Sequence, residues 1–93
     1  MIRSFADKET EQLFRDGECP ARWSSFRSVV LRKLDMIEAA TCVEDLRVPP
    51  GNRLERLKGD RKSFWSVRIN GQWRIVFRWD GDAPEDVAIV DYH

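Results

Sequence analysis

The spacing of apolar residues changes character halfway along this chain, from a helical period before "VPPGN" to a period of two after it. "MIRSF" brings Ile2 and Phe5 together in a short extended piece, read as a brief strand. Asp7 is placed to cap a first helix, with Glu9 and Glu11 near its positive end and Gly17 to stop it. Pro20 suits the first turn of a second helix, and from Trp23 the apolar Phe26, Val30, Leu34 and Ile37 form one buried stripe. Arg22, Arg27, Arg32 and Lys33 are read as lying off that stripe, so the helical pair buries one side and shows a basic, polar back. Thr41 and Glu44 have capping-box spacing for one further short turn.

After Asn52 the alternation predicts strands over 54–58, 64–69, 73–79 and 86–92. Asn70-Gly71 is a strong short-range hairpin signal, and 80–84 makes a looser second turn. Two helices followed by a four-stranded meander give an α+β fold, a short N-terminal strand and two N-terminal helices packed on one face of a mainly antiparallel, twisted sheet. The expectation is a single domain over 1–93. In "WRIVFRW", Trp73, Ile75, Phe77 and Trp79 point one way, toward the helices; Arg74, Val76 and Arg78 point the other, onto an open face. A strict two-residue turn would put Arg68 opposite Trp73, and a longer, bulged turn would put it beside Arg74; the pattern allows both.

Composition adds a thin core and an uneven charge map. A chain of 93 residues buries only roughly 60–65% of the surface its unfolded form exposes, so four Trp and five Phe must supply much of the core. For the tryptophans, packing is therefore the first role and base stacking the second. Lys and Arg number 16, Asp and Glu 16, so net charge announces no nucleic-acid or membrane partner. The distribution says more: residues 53–78 carry 8 basic and 2 acidic side chains, whereas 79–93 carry 5 acidic ones and no Lys or Arg. A solvated sheet face and a footprint for phosphate both fit that segment. Cys19 and Cys42 match neither a zinc spacing nor a disulfide framework, and "DGD" lacks the rest of a calcium loop. No signal-peptide core and no run of membrane-spanning length is present, so a reduced, cytoplasmic protein is expected, with no membrane partner.

The chemistry-bearing residues gather late in the chain. "RLERLKGDRK" holds Arg53, Arg56, Lys58, Arg61 and Lys62 around Gly59, without the Walker pattern. The sequence closes on Asp91, Tyr92 and His93, the only histidine. Cleavage of RNA needs a base for the 2′-hydroxyl proton, cations for the phosphorane-like transition state and an acid for the leaving oxygen. Lys58, Arg61, Arg68 and Arg74 can supply charge, and Asp91, Tyr92 and His93 can move protons. Asp91 favours protonated His93, while Tyr92 needs cationic neighbours to act as a base.

Four pieces, "PPGNRLE", "LKGDR", "INGQWRIVFRW" and "VDYH", with "MIRSF" at the start, closely resemble the HigB-type (killer protein) toxins of the RelE/ParE toxin-antitoxin superfamily. The resemblance covers nearly the whole chain. It implies a compact RelE-like sheet with two N-terminal helices and metal-independent cleavage of mRNA on the translating ribosome, without a cofactor. It also implies a HigA-type antitoxin with a helix-turn-helix domain as partner, and a toxin monomeric by itself. Carried over by motif, the catalytic positions are Lys58, Arg74, Asp91, Tyr92 and His93, with Lys58 and Arg74 on the scissile phosphate. Arg53, Arg56, Arg61, Lys62, Arg68 and Arg78 are the expected RNA-binding residues. Some relatives carry a histidine just before the "LKGD" lysine; here Glu55, Arg56 and Leu57 stand there, which puts a two-histidine mechanism out of reach. Two alternatives come with the resemblance: a ParE-like toxin that inhibits DNA gyrase by binding, and an inactive member that only binds its antitoxin.

Overall fold

The computed structural model of the chain describes residues 1–58, 63–79 and 81–91. Helix α1 (Lys8–Asp16) begins where the Asp7 carboxylate accepts the Thr10 N–H at 2.7 Å, and ends at left-handed Gly17, φ 75°, whose N–H returns to the Leu13 carbonyl at 3.0 Å. Both ends stand where the caps predict them. The second helix differs from expectation. A 3₁₀ stretch, Ala21–Phe26, precedes α2 (Arg27–Ala39), and the two are separated by the non-helical backbone of Phe26. In 3₁₀ geometry residues three apart eclipse, which turns both Trp23 and Phe26 onto Trp73, with ring centroids 6.4 and 5.8 Å away.

On α2, Val30, Leu34 and Ile37 are fully buried as the stripe predicts, each contributing roughly 1.5–3 kcal/mol by leaving water. Lys33 is the exception to the basic back: it is only 7% exposed. Its position, three residues after Val30 and four before Ile37, is on the stripe itself, and its Nζ finds Asn52 Oδ1 at 2.9 Å. Arg22 and Arg27 are also engaged, Arg22 with Glu9 and over the Trp23 ring, Arg27 with the Gly17 carbonyl. The capping box is shifted by one residue: Cys42 leads the 3₁₀ turn Val43–Arg47, and Asp45, not Glu44, reaches back to the Thr41 and Cys42 N–H groups. Glu44 pairs with Arg47 instead.

Strands β1 (Glu55–Arg56), β2 (Phe64–Arg68), β3 (Trp73–Trp79) and β4 (Pro84–Asp91) form one antiparallel sheet in that order. The first is shorter than 54–58, although the Leu57 N–H still reaches the Phe64 carbonyl at 2.8 Å. The N-terminal segment gives no full strand, only a parallel bridge from Phe5 to Val87 on the outer edge of β4. The reason lies in β4. Asp86 and Val87 together oppose Phe77, a bulge that puts Asp86 at φ 53° and turns its N–H onto the Ser4 hydroxyl. That re-aimed N–H leaves the ladder, so regular pairing stops.

The β2–β3 connection is not a two-residue turn. Neither Asn70 nor Gly71 has the positive φ a type I′ turn needs. The Asn70 carboxamide instead accepts the Gln72 and Trp73 N–H groups at 2.8 and 2.9 Å, lengthening the loop. Arg68 is therefore paired with Arg74 and shares its face. The helix face carries Val67, Ile75, Phe77, Val87 and Ile89, packed with Leu13, Trp23, Val30, Leu34 and Ile37 into one core. Buried Thr10 fastens α1 to β4, its Oγ1 donating to Asp7 and accepting the Ile89 N–H at 3.2 Å.

Candidate functional site

Arg74 lies on the sheet face away from the helices, as alternation predicts, but that face is not open at this point. The residue is 8% exposed. Register explains its partners: Arg74 stands two residues along from Val76 on the same face, the neighbour of Val76 across the ladder is Ser66, and Ser66 is in turn opposite Glu55. The Arg74 Nε–H donates to Ser66 Oγ at 2.8 Å, and Nη2 donates to the Arg53 carbonyl at 2.6 Å and lies 3.2 Å from a Glu55 carboxylate oxygen. A guanidinium held by its Nε edge and one Nη is fixed in direction as well as place. Such a cation can stabilise an anion beside it with little reorganisation.

The other expected positions divide between the two faces. Arg68 lies directly across from Arg74, half-buried. Arg78 is on the same face but is neutralised within the fold, 2.8 Å from Glu85 and 3.3 Å from the bulged Asp86. Expected on an open face, it is ion-paired with the β4 bulge. Arg56 is opposite Trp65, on the helix side, with its guanidinium 5.6 Å from that ring's centroid. Arg53 is exposed in a left-handed turn, φ 45°, and gives the site its backbone carbonyl. Lys58 is exposed just after β1. Asp91 pairs with Trp73, so the register sends it to the helix face, where it accepts a hydrogen bond from Gln72 Nε2 at 3.0 Å. The structure therefore brings Arg53, Arg68 and Arg74 together and separates Asp91 from them. Arg61, Lys62, Tyr92 and His93 lie outside the described residues.

Sequence reasoning missed four residues of this arrangement. Ser66 and Glu55 hold Arg74 from neighbouring strands, which depends on register. Asn52 is 1% exposed and donates through Nδ2 to the Leu46 carbonyl at 3.1 Å while accepting from Lys33. Lys33 had a legible signal in its stripe position; its partner had none. Burial first, and then the nearby charges of Arg32, Arg68 and Arg74, push the Lys33 ammonium below its ordinary value. The site thus contains a concentration of positive charge, as the 53–78 segment suggests.

A family model described as the RelE-like toxin of type II toxin-antitoxin system HigB matches residues 3–93. The chain is 42% identical over 88 residues to "Toxin HigB-1" of Vibrio cholerae serotype O1, a match covering 89% of this chain and 90% of that one. It is 33% identical over 93 residues to "Endoribonuclease HigB" of Proteus vulgaris, covering 100% of both. Among solved structures, a YoeB dimer from Staphylococcus aureus superposes with TM-score 0.58 at 19% identity, over 99% of this chain and 94% of that one. A YoeB/ParE toxin from Agrobacterium tumefaciens gives TM-score 0.57 at 18% identity, over 99% and 98%. At such identities the structural likeness concerns the fold, which is the RelE-like α+β arrangement.

Proposed function

The chain belongs to the HigB-like family of RelE-like toxins of type II toxin-antitoxin systems, and from that premise we propose that it arrests growth by cutting mRNA on the ribosome without a metal ion. Family membership implies an antitoxin partner, for which we propose a HigA-type helix-turn-helix protein, with the free toxin a cytoplasmic monomer. Among the described residues no helix is long and apolar enough to cross a membrane.

The observation that carries the nuclease reading is the recessed, hydrogen-bonded Arg74 with Arg68 across the ladder. In the proposed reaction the 2′-hydroxyl loses its proton and attacks the adjacent phosphorus, while the bond to the 5′-oxygen breaks and that oxygen gains a proton. Arg74 and Lys58 neutralise the phosphate oxygens as negative charge accumulates, work that directed cations in a preorganised site do well. Tyr92 and His93 are assigned the two proton transfers from their chemistry, with His93 the natural carrier near neutral pH. Asp91, on the far face, is assigned the role of steadying the strand end rather than touching the phosphate. Arg53 and Arg68 hold flanking RNA, and Arg61 and Lys62 are proposed to add to that grip. Without a second imidazole, the ribosome's orientation of the mRNA does more of the work, and orientation alone supplies several kcal/mol.

The test is cleavage of a reporter mRNA in a reconstituted translation system, mapped by primer extension and run beside a DNA gyrase supercoiling assay. Cleavage that survives EDTA pretreatment of the toxin, needs ribosomes and is lost when Tyr92 and His93 are deleted supports the reading. Intact mRNA with supercoiling blocked would make the protein a ParE-like gyrase inhibitor instead. Intact mRNA, unimpaired supercoiling and retained antitoxin binding would make it an inactive member.

A further inference from the structure

We propose that Asn52 is a positioning residue for Arg74 and that buried Lys33 holds Asn52 to that task; the inference rests on the reading of Arg74 as a phosphate-holding group. Asn52 closes the turn Pro50–Asn52 and is tied on three sides: its Oδ1 accepts from Lys33 Nζ at 2.9 Å, its Nδ2 donates to the Leu46 carbonyl at 3.1 Å, and its backbone N–H donates to the Pro49 carbonyl at 3.0 Å. The next residue, Arg53, is left-handed at φ 45°, with its N–H on the Pro50 carbonyl at 3.0 Å and its own carbonyl on Arg74 at 2.6 Å. A non-glycine residue persists in that region only where its surroundings over-determine it. Here the pins lie on either side: Asn52 before it, and the Arg74 hydrogen bond after it.

The chain of contacts therefore runs from α2 through Lys33, Asn52 and the Arg53 carbonyl to the guanidinium. Lys33 is a weak choice if stability alone mattered, because a buried ammonium facing a neutral amide recovers little of its lost hydration. Its hydrogen bond nonetheless fixes the amide's orientation, and with it the direction of the following carbonyl. A misplacement of about 1 Å at a reacting group can lower a rate on the order of 100-fold, so a device of this kind acts on turnover more than on binding.

The experiment compares the wild-type toxin with Lys33→Met/Asn52→Leu, which replaces the buried polar pair by apolar side chains. Cleavage of ribosome-bound reporter mRNA is followed in single turnover with toxin in excess, giving a maximal rate and a half-saturating concentration, and melting is recorded by circular dichroism. The expected result is a variant that still folds cooperatively, its midpoint set by the lost Leu46 hydrogen bond against the recovered ammonium hydration. Assayed below that midpoint, it has its maximal rate down on the order of 10- to 100-fold with half-saturation unchanged. A purely structural role gives the opposite pattern: a well-folded variant that cleaves at the wild-type rate, which overturns the inference. Should the double variant not fold, Lys33→Met alone is read by the same two quantities. Arg74→Lys, assayed well below its midpoint, separates the two levels. If it cleaves at the wild-type rate, the reading of Arg74 itself has failed; if it is slow while the Lys33/Asn52 variant is not, only the positioning inference has.

Discussion

Arg74→Ala destabilises the domain as well as removing a cation from the site. The two charged hydrogen bonds, to Ser66 Oγ and the Arg53 carbonyl, contribute about 1.5–3 kcal/mol each. The pair with Glu55, whose side chain is 61% exposed, adds only about 0.2–1 kcal/mol. Against this stands the recovered hydration of a guanidinium only 8% exposed, an offset of several kcal/mol. The alanine variant does not collect that offset cleanly, because it leaves the Ser66 hydroxyl, 1% exposed, without its donor at a cost of about 1–3 kcal/mol. The net loss is about 2–4 kcal/mol, out of a total of about 5–14 kcal/mol for a chain of this length. At roughly 4–8 °C per kcal/mol, the midpoint falls by about 8–30 °C. Thermal denaturation followed by circular dichroism measures the fall, and a cycle with Ser66→Ala isolates the Arg74–Ser66 coupling. A midpoint within about 2 °C of wild type, well under the shift expected for even 1 kcal/mol, would refute the reasoning. Loss of toxicity in this variant at growth temperature is therefore not proof of a lost chemical group, and cleavage must be measured where the variant is folded.

Lys58→Ala is the cleaner probe: the side chain is exposed, so its midpoint stays within about 0.5 kcal/mol of wild type while reporter cleavage drops at least 10-fold, as judged by primer extension. Lys33→Met removes the buried ammonium but leaves Asn52 Oδ1, in a side chain only 1% exposed, without its donor, at a cost of about 1–3 kcal/mol. It therefore changes stability little at neutral pH, and it loses ground to wild type as pH rises. Below the lowered folded-state pKa of Lys33 the burial penalty is fully present; between that pKa and the ordinary value of 10.5 the folded ammonium gives up its proton first and the penalty fades. Melting both proteins across that alkaline range checks the sign, and a variant that gained on wild type as pH rose would show it wrong. Asp7→Ala removes the α1 cap and the Thr10 hydroxyl's acceptor, lowering stability by about 1 kcal/mol in urea denaturation with an unchanged m-value.

The local grammar of the chain fixed what depends on neighbours in sequence. The caps of α1, the apolar stripe of α2, the four strands and the outward alternation of Arg68's partner Arg74 all follow from periodicity and capping chemistry, whose range is a few residues. The motif pieces at "LKGD", "QWRI" and "VDYH" carried the family as well, since they are strings of residue types at fixed spacing. Tertiary structure decided the rest, because the deciding contacts join residues far apart. Asn70 is the local exception: its carboxamide, accepting from N–H groups two and three residues on, lengthened a turn and moved Arg68 onto the Arg74 face. The bulge at Asp86 interrupted the N-terminal pairing and gave Arg78 an acidic partner. Register alone put Asp91 opposite Trp73 and away from Arg74. The burial of Arg74 required Ser66 to arrive from one segment and Glu55 with the Arg53 carbonyl from another, and that of Lys33 required Asn52, 19 positions on. Periodicity reports which way a side chain points; only the assembled sheet supplies the polar partners that make burying a charge possible.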